Sequence, residues 1–125
     1  MMEKKTSKGF ERIINAFKFT LKGVQSAWSN EEAFRQEALV LILVIPAGLF
    51  IPETFLQKGL FICAWLLVLV IELLNSAIES VVDRIGYGKH PLSGQAKDMG
   101  SAAVFIGICL AVIIWVSIIC ERFII

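Results

Sequence analysis

Hydrophobic positions fall into four stretches along the chain. Across 7–28 the apolar residues Phe10, Ile13, Ile14, Phe17, Leu21 and Val24 recur at helical spacing, and Lys8, Arg12, Lys18 and Lys22 take much of the remaining surface. The pattern predicts an amphipathic helix lying in a membrane surface. A helix packed on soluble partners would show the same pattern, but the chain offers little soluble to pack on. Ser29 or Asn30 is placed to cap a first span over 31–52, with acids favoured in its first turn. Its uncharged part begins only at Ala38, which is short for a ~20-residue span; it becomes adequate if the helix is tilted, or if Phe34 and the stems of Arg35 and Glu37 reach inward from the interface. Pro46 and Gly48 are candidate kink positions. After a turn over 53–58, a second span is expected over 60–83 and a third over 99–120. Gly86, Gly88 and Pro91 break the chain between them, so 84–98 reads as a loop and turn with Ser93 as the cap of the third span. Gly100, Ser101, Ala102, Ala103 and Gly107 give that span a small-residue face for close helix contact.

The second span is interrupted by polar residues in one register only. Glu72, Asn75, Ser76 and Glu79 fall on a single stripe of a helix at ~100° per residue, and Asp83 continues it one turn on. Leu73, Leu74, Ile78 and Val82 cover other faces. A charged side chain at the bilayer centre costs about 2.5–3.5 kcal/mol on insertion scales. The stripe therefore faces protein, water, a cation or a reacting substrate rather than lipid.

Composition agrees with a membrane chain: 57% of the 125 residues are hydrophobic, more than a soluble domain of one core carries. The result is an all-α membrane protein of one domain: a surface helix plus three transmembrane helices. Cys63, Cys109 and Cys120 lie in apolar runs without metal-ligand spacing and read as packing residues. The amino-terminal stretch is not a secretory signal. A net charge of +1 implies no bulk attraction to nucleic acid. The distribution of charge says more. Lys4, Lys5, Lys8, Arg12, Lys18, Lys22 and Arg35 precede the first span, and Arg84, Lys89 and Lys97 lie between the second and third. The other side has only Lys58 and Arg122. The positive-inside rule then puts the amino terminus and the 84–98 segment in the cytosol, with the carboxyl terminus opposite.

Several of these polar residues are candidates for chemistry. Glu79, about 6 Å inward of Asp83, could join Glu31 in holding a divalent cation, since magnesium typically takes one or two carboxylates plus phosphate oxygens and water. A pair of glutamates bonded to Lys or Arg at a helix junction fits the same positions. Glu72, about 16 Å inward, suits a general base that works from a desolvated site. A protonated glutamate bonding between helices through Asn75 fits it too. Lys97 could meet phosphate, Asp98 could cap a helix or favour its dipole, and His90 beside Pro91 reads as a loop residue or a ligand contact. Gly88-Lys89 lacks the partner glycine and hydroxyl residue of a phosphate-binding loop, and no protein-kinase motif set is present. A small proton or cation transporter using the Glu72/Glu79 stripe as a relay is a reading of another class. It leaves the surface helix and Ala96-Lys97-Asp98 without a role.

Three segments together resemble one family, the small integral-membrane diacylglycerol kinases of bacteria. They are Asn30-Glu31-Glu32-Ala33-Phe34-Arg35-Gln36-Glu37, the stretch from Glu72 to Asp83, and His90-Pro91-Leu92-Ser93-Gly94-Gln95-Ala96-Lys97-Asp98-Met99-Gly100-Ser101-Ala102-Ala103. The undecaprenol kinases are close cousins sharing the acidic stripe and the Ala-Lys-Asp turn. The wording around Phe34 and Met99 is nearer the diacylglycerol branch. The resemblance implies a homotrimer in the bacterial inner membrane, with a cytosolic amino terminus, a periplasmic carboxyl terminus and active sites between subunits at the cytosolic interface. It implies transfer of phosphate from ATP to the primary hydroxyl of 1,2-diacylglycerol, with Mg2+. On this likeness Glu72 is the general base and Glu31 and Glu79 bind the metal. Arg12, Phe19, Gly88, Lys89, His90, Lys97 and Asp98, with Glu31 and Glu79, surround ATP. Arg12, Glu72, Asn75 and Ser101 line the lipid headgroup pocket. Two positions depart from the pattern: Phe19 stands where close family members have a tyrosine, and Gln95 where an arginine is common. Glu72 lies deep for an interfacial headgroup unless Asp83 extends into the cytosol.

Overall fold

The computed structural model describes residues 8–125. Ser7, Lys4 and Lys5, which enter the expected surface helix and its charge count, lie outside the described residues. Four helices follow one another: α1 (Phe10–Asn30), α2 (Glu32–Phe50), α3 (Phe55–Ile85) and α4 (Pro91–Phe123). The last three are long and apolar enough to cross a membrane. No strand occurs among the described residues.

α3 is the centre, with α2 and α4 packed against it. Its core side chains include Phe61, Ala64, Trp65 and Val68, meeting Val44 from α2 and Ala111 and Ile118 from α4. Trp115 stacks on Phe61 and Trp65, with ring centroids 5.4 and 5.3 Å apart. Such pairs contribute about 0.5–1.5 kcal/mol beyond their burial. Both indole N–H groups find carbonyls, Trp115 donating to Phe61 at 2.9 Å and Trp65 to Glu37 at 2.7 Å. The second of these bonds fixes the register of α2 on α3.

α4 approaches α3 through Gly100, Gly107, Ala111 and Ile118, all buried, whereas Ser101, Ala102 and Ala103 are exposed. The small-residue face is thus narrower than the sequence suggested, and runs along one stripe. A Cβ at Gly107 would come within 2.7 Å of the Ile71 Cδ1 atom, and one at Gly100 would fall inside the contact distance of the Asn75 side-chain oxygen.

The helix ends differ from expectation. Neither Ser29 nor Asn30 caps α2. Asn30 closes α1, its amide donating back to the Ser26 carbonyl at 2.9 Å, and Glu31 takes the N-cap position in extended conformation. Arg35 is half-buried. Its guanidinium turns back to the Trp28 and Ser29 carbonyls at 2.9 and 3.3 Å, satisfying the end of α1. α3 begins at Phe55, inside the expected turn, because Thr54 and Gln57 form a reciprocal capping box. α4 begins at Pro91, well before Met99, and the expected loop over 84–98 shrinks to 86–90. Proline is favoured at the first helical position because its missing N–H is unpaired there anyway. The cap is His90, whose Nδ1 accepts the Leu92 N–H at 3.1 Å, and not Ser93.

Far from the acidic stripe, Arg122 pairs with Glu53 at 2.8 Å and Gln57 donates to Glu121 at 2.7 Å, tying the end of α4 to the start of α3. With 31 residues, α3 is about 46 Å long against a hydrocarbon layer of ~30 Å. The helix can therefore carry Glu79 and Asp83 into the headgroup layer while Glu72 sits about 10 Å inside it.

Candidate active site

Glu72 lies two turns along α3 from Trp65, on the face that α2 covers, so the Trp65–Glu37 hydrogen bond determines what Glu72 meets. Glu72, Asn75 and Ser76 are only 5%, 8% and 7% exposed. Three polar atoms here are buried with no protein hydrogen-bond partner: the Glu37 Oε2, Asn75 Oδ1 and Ser76 Oγ atoms. An unpaired buried polar group costs about 1–3 kcal/mol, so a cluster of them is costly if it serves packing alone. The Asn75 amide nitrogen is 3.4 Å from the Glu79 Oε1 atom, a long contact that leaves the Glu79 carboxylate lightly held.

Glu31 and Glu79 both lie close enough to Glu72 to act on its charge. Glu72 lies close enough to Glu37 to act on its charge. Carboxyl groups from the α1–α2 junction, α2 and α3 thus line one side of α3 over about two turns. Next to them a cleft of about 440 Å³ opens between α1 and α3, lined by Thr20, Asn30, Glu31, Ser76 and Ser80 among others.

One to three turns outward is a second polar group. The Lys97 Nζ atom is 2.8 Å from the Asp83 Oδ1 atom, tying α4 to the end of α3. Lys97 lines a cleft of about 480 Å³ with Gly88, Lys89, His90, Ser93 and Gly94. Asp98 is exposed nearly two turns past the start of α4, too far along to cap the helix.

The structure therefore gathers the expected residues into two neighbouring groups on the same half of α3. Glu31, Glu72, Asn75 and Glu79 form one; Gly88, Lys89, His90 and Lys97 form the other. Arg12, Phe19 and Ser101 are exposed, and the side chains of Arg12 and Ser101 make no hydrogen bond or ion pair among the described residues. The Phe19 ring carries the Lys22 ammonium 5.9 Å from its centroid. Sequence reasoning missed Glu37. It sits where charge gives way to apolar sequence and reads as an interfacial residue; only the Trp65 contact turns it toward Glu72. It also missed Gly100, whose lack of a side chain makes room for the Asn75 carboxamide.

The described residues contain no group of three or more His, Cys, Asp or Glu side chains able to hold a metal. Two carboxylates, Glu31 and Glu79, are nevertheless the donor set that magnesium uses when phosphate oxygens and water complete its shell. The residues fit an ion that arrives with a nucleotide, and do not form a closed metal cage.

A helical chain with three helices long and apolar enough to cross a membrane, and a buried polar cluster of Glu72, Asn75 and Ser76 on the central one, has the architecture of a small multi-pass membrane protein. The chain belongs to the prokaryotic diacylglycerol kinase family, whose model matches residues 18–119. It is 50% identical to the diacylglycerol kinase of Haemophilus influenzae over 107 residues, covering 86% of this chain and 91% of that one. To the Escherichia coli K12 diacylglycerol kinase it is 48% identical over 115 residues, 92% and 94% of the two chains. The Pseudomonas aeruginosa diacylglycerol kinase is 43% identical over 110 residues, 88% and 89%.

Proposed function

We propose that this chain is a diacylglycerol kinase, transferring the γ-phosphoryl group of ATP to the primary hydroxyl of 1,2-diacylglycerol and releasing phosphatidic acid and ADP. The observation that carries this reading is the buried Glu72–Asn75 pair beside Glu31 and Glu79, in a chain of this family. The working form is a homotrimer in the bacterial inner membrane, with the amino terminus and the 86–90 turn in the cytosol.

Phosphoryl transfer depends on positioning and charge stabilisation more than on covalent chemistry by the protein. The acyl chains stay in lipid, and Asn75 and Ser101 orient the glycerol headgroup. Glu72 accepts the hydroxyl proton as the glycerol oxygen bonds to the γ-phosphorus and the bond to the bridging oxygen of ADP breaks. Lys97 meets the phosphates, and Arg12, Phe19, Asp98 and the Gly88-Lys89-His90 turn surround the nucleotide. Glu31 and Glu79 would hold magnesium, whose chemistry is to neutralise phosphate charge. Burial of Glu72 removes competing water from the proton acceptor.

The test is a radiolabelled-ATP assay on pure protein offered diacylglycerol and undecaprenol side by side. Label is expected in phosphatidic acid. Label in undecaprenyl phosphate alone would transfer the chain to the cousin activity, and label in neither would reject a lipid kinase.

A further inference from the structure

We propose that Asp83 is a positioning residue that keeps Lys97 away from Glu79, so that Glu79 remains free for a metal-bound nucleotide. The inference rests on the nucleotide site proposed above. Lys97 reaches across from α4 to α3 and ends on the Asp83 carboxylate at 2.8 Å. Glu79 lies one turn inward on the same stripe, about 6 Å along the helix, and is close enough to act on the Lys97 charge. The only side-chain hydrogen bond to Glu79 among the described residues is the long one from Asn75 at 3.4 Å. A flexible ammonium beside two carboxylates goes to whichever holds it better, and the two ends of this choice have different consequences. On Asp83 it stands at the mouth of the cleft by Gly88 and His90, where an arriving phosphate can take it over. On Glu79 it would occupy a carboxylate needed by the cation and place a positive charge where a second must bind. Both partners of the observed pair are half-exposed, at 44% and 39%, so exchange of Lys97 from carboxylate to phosphate is inexpensive.

The mechanism predicts a specific pattern in binding, readable without lipid or turnover. Titration calorimetry with the non-hydrolysable β,γ-methylene analogue of ATP is carried out with and without magnesium. Asp83→Asn keeps size and removes charge. It should weaken the magnesium-loaded analogue about fivefold, the scale of a half-exposed ion pair, and weaken the metal-free analogue less, since without the metal only the Lys97 contact to phosphate is disturbed. Asp83→Glu should restore most of the loss. In a Lys97→Met background, Asp83→Asn should have no further effect, because Asp83 acts only through Lys97. Should Asp83→Asn fold poorly, Asp83→Ser, which also removes the charge, takes its place in the same comparisons. Unchanged or tighter magnesium-analogue binding in Asp83→Asn would overturn the proposal, as would equal weakening without magnesium or an additive loss on top of Lys97→Met. Failure of the wild-type chain to bind the analogue at all would instead strike the nucleotide reading itself.

Discussion

Single residues divide by how their signal is written. Glu72, Asn75 and Glu79 were legible because a carboxylate inside an apolar run is costly, and the spacing put all three on one stripe. Glu72 and Asn75 are buried because that stripe faces the neighbouring helices, while Glu79, nearer the helix end, is half-buried. Glu37 was not legible, since its position depends on an indole from another helix reaching its backbone carbonyl. Glu31 carries both signals: it follows α1 directly, and its extended backbone turns the chain into α2. If Glu31 and Glu79 form the metal's protein ligands, Glu31→Gln and Glu79→Gln should each weaken magnesium–ATP binding about tenfold or more while the assembly stays intact, since a neutral amide cannot replace a charged ligand. Equilibrium binding on the purified variants checks this, and unchanged affinity in both would remove them from the metal site.

At the scale of helices, the hydropathy pattern found every element and misplaced several ends. Hydropathy marks where charge stops, whereas a helix stops where its caps are. α4 therefore starts at Pro91 with His90 as cap, and Lys97 and Asp98 ride on the helix instead of in a loop. That difference matters chemically, because a helix holds Lys97 against Asp83 in a way a loop would not. The α3–α4 contact likewise depends on two glycines within a broader set of small residues. Gly107→Ala meets the end of the Ile71 side chain, which can shift, and should cost about 1–3 kcal/mol as an overpacking change. Gly100→Ala meets the Asn75 carboxamide instead. It should lower lipid phosphorylation at least tenfold at a similar loss of thermal stability, because misplacing a substrate-orienting group by about an ångström spoils alignment. Activity beside melting temperature for the two variants separates these outcomes; equal activity in both would detach Asn75 from the headgroup.

For the whole molecule, a single chain leaves much apolar surface uncovered. Leu39, Ile42 and Leu43 on α2, Leu74 on α3, and Phe105, Ile106 and Ile113 on α4 are exposed, as is the Phe10–Leu21 face of α1. Lipid and further copies of the chain are the covers this account assigns. Arg12, Phe19 and Ser101 are exposed, as the proposed homotrimer with sites completed between subunits would require. No sequence pattern specifies such a site, because it depends on how copies meet. The proposed orientation, by contrast, rests on the charge distribution alone. Cysteines introduced at Lys89 and Lys58, in a background lacking the three native ones, should label from opposite sides, with Lys89 cytosolic. Labelling of both from one side would end the three-span topology.

The central claim is that Glu72 takes the proton of the lipid hydroxyl. Glu72→Gln preserves shape and hydrogen-bonding capacity but cannot serve as a base. Turnover of diacylglycerol should fall by about 10²–10⁴, the usual contribution of acid–base catalysis. Magnesium–ATP affinity should be almost unchanged, and stability should hold or rise because a costly buried ionisable group has become neutral. The deciding measurement is turnover beside nucleotide affinity on the purified, assembled Glu72→Gln protein. The account predicts lost turnover with retained binding; near-normal turnover would contradict it, and lost binding in an intact fold would move Glu72 into the metal's coordination shell.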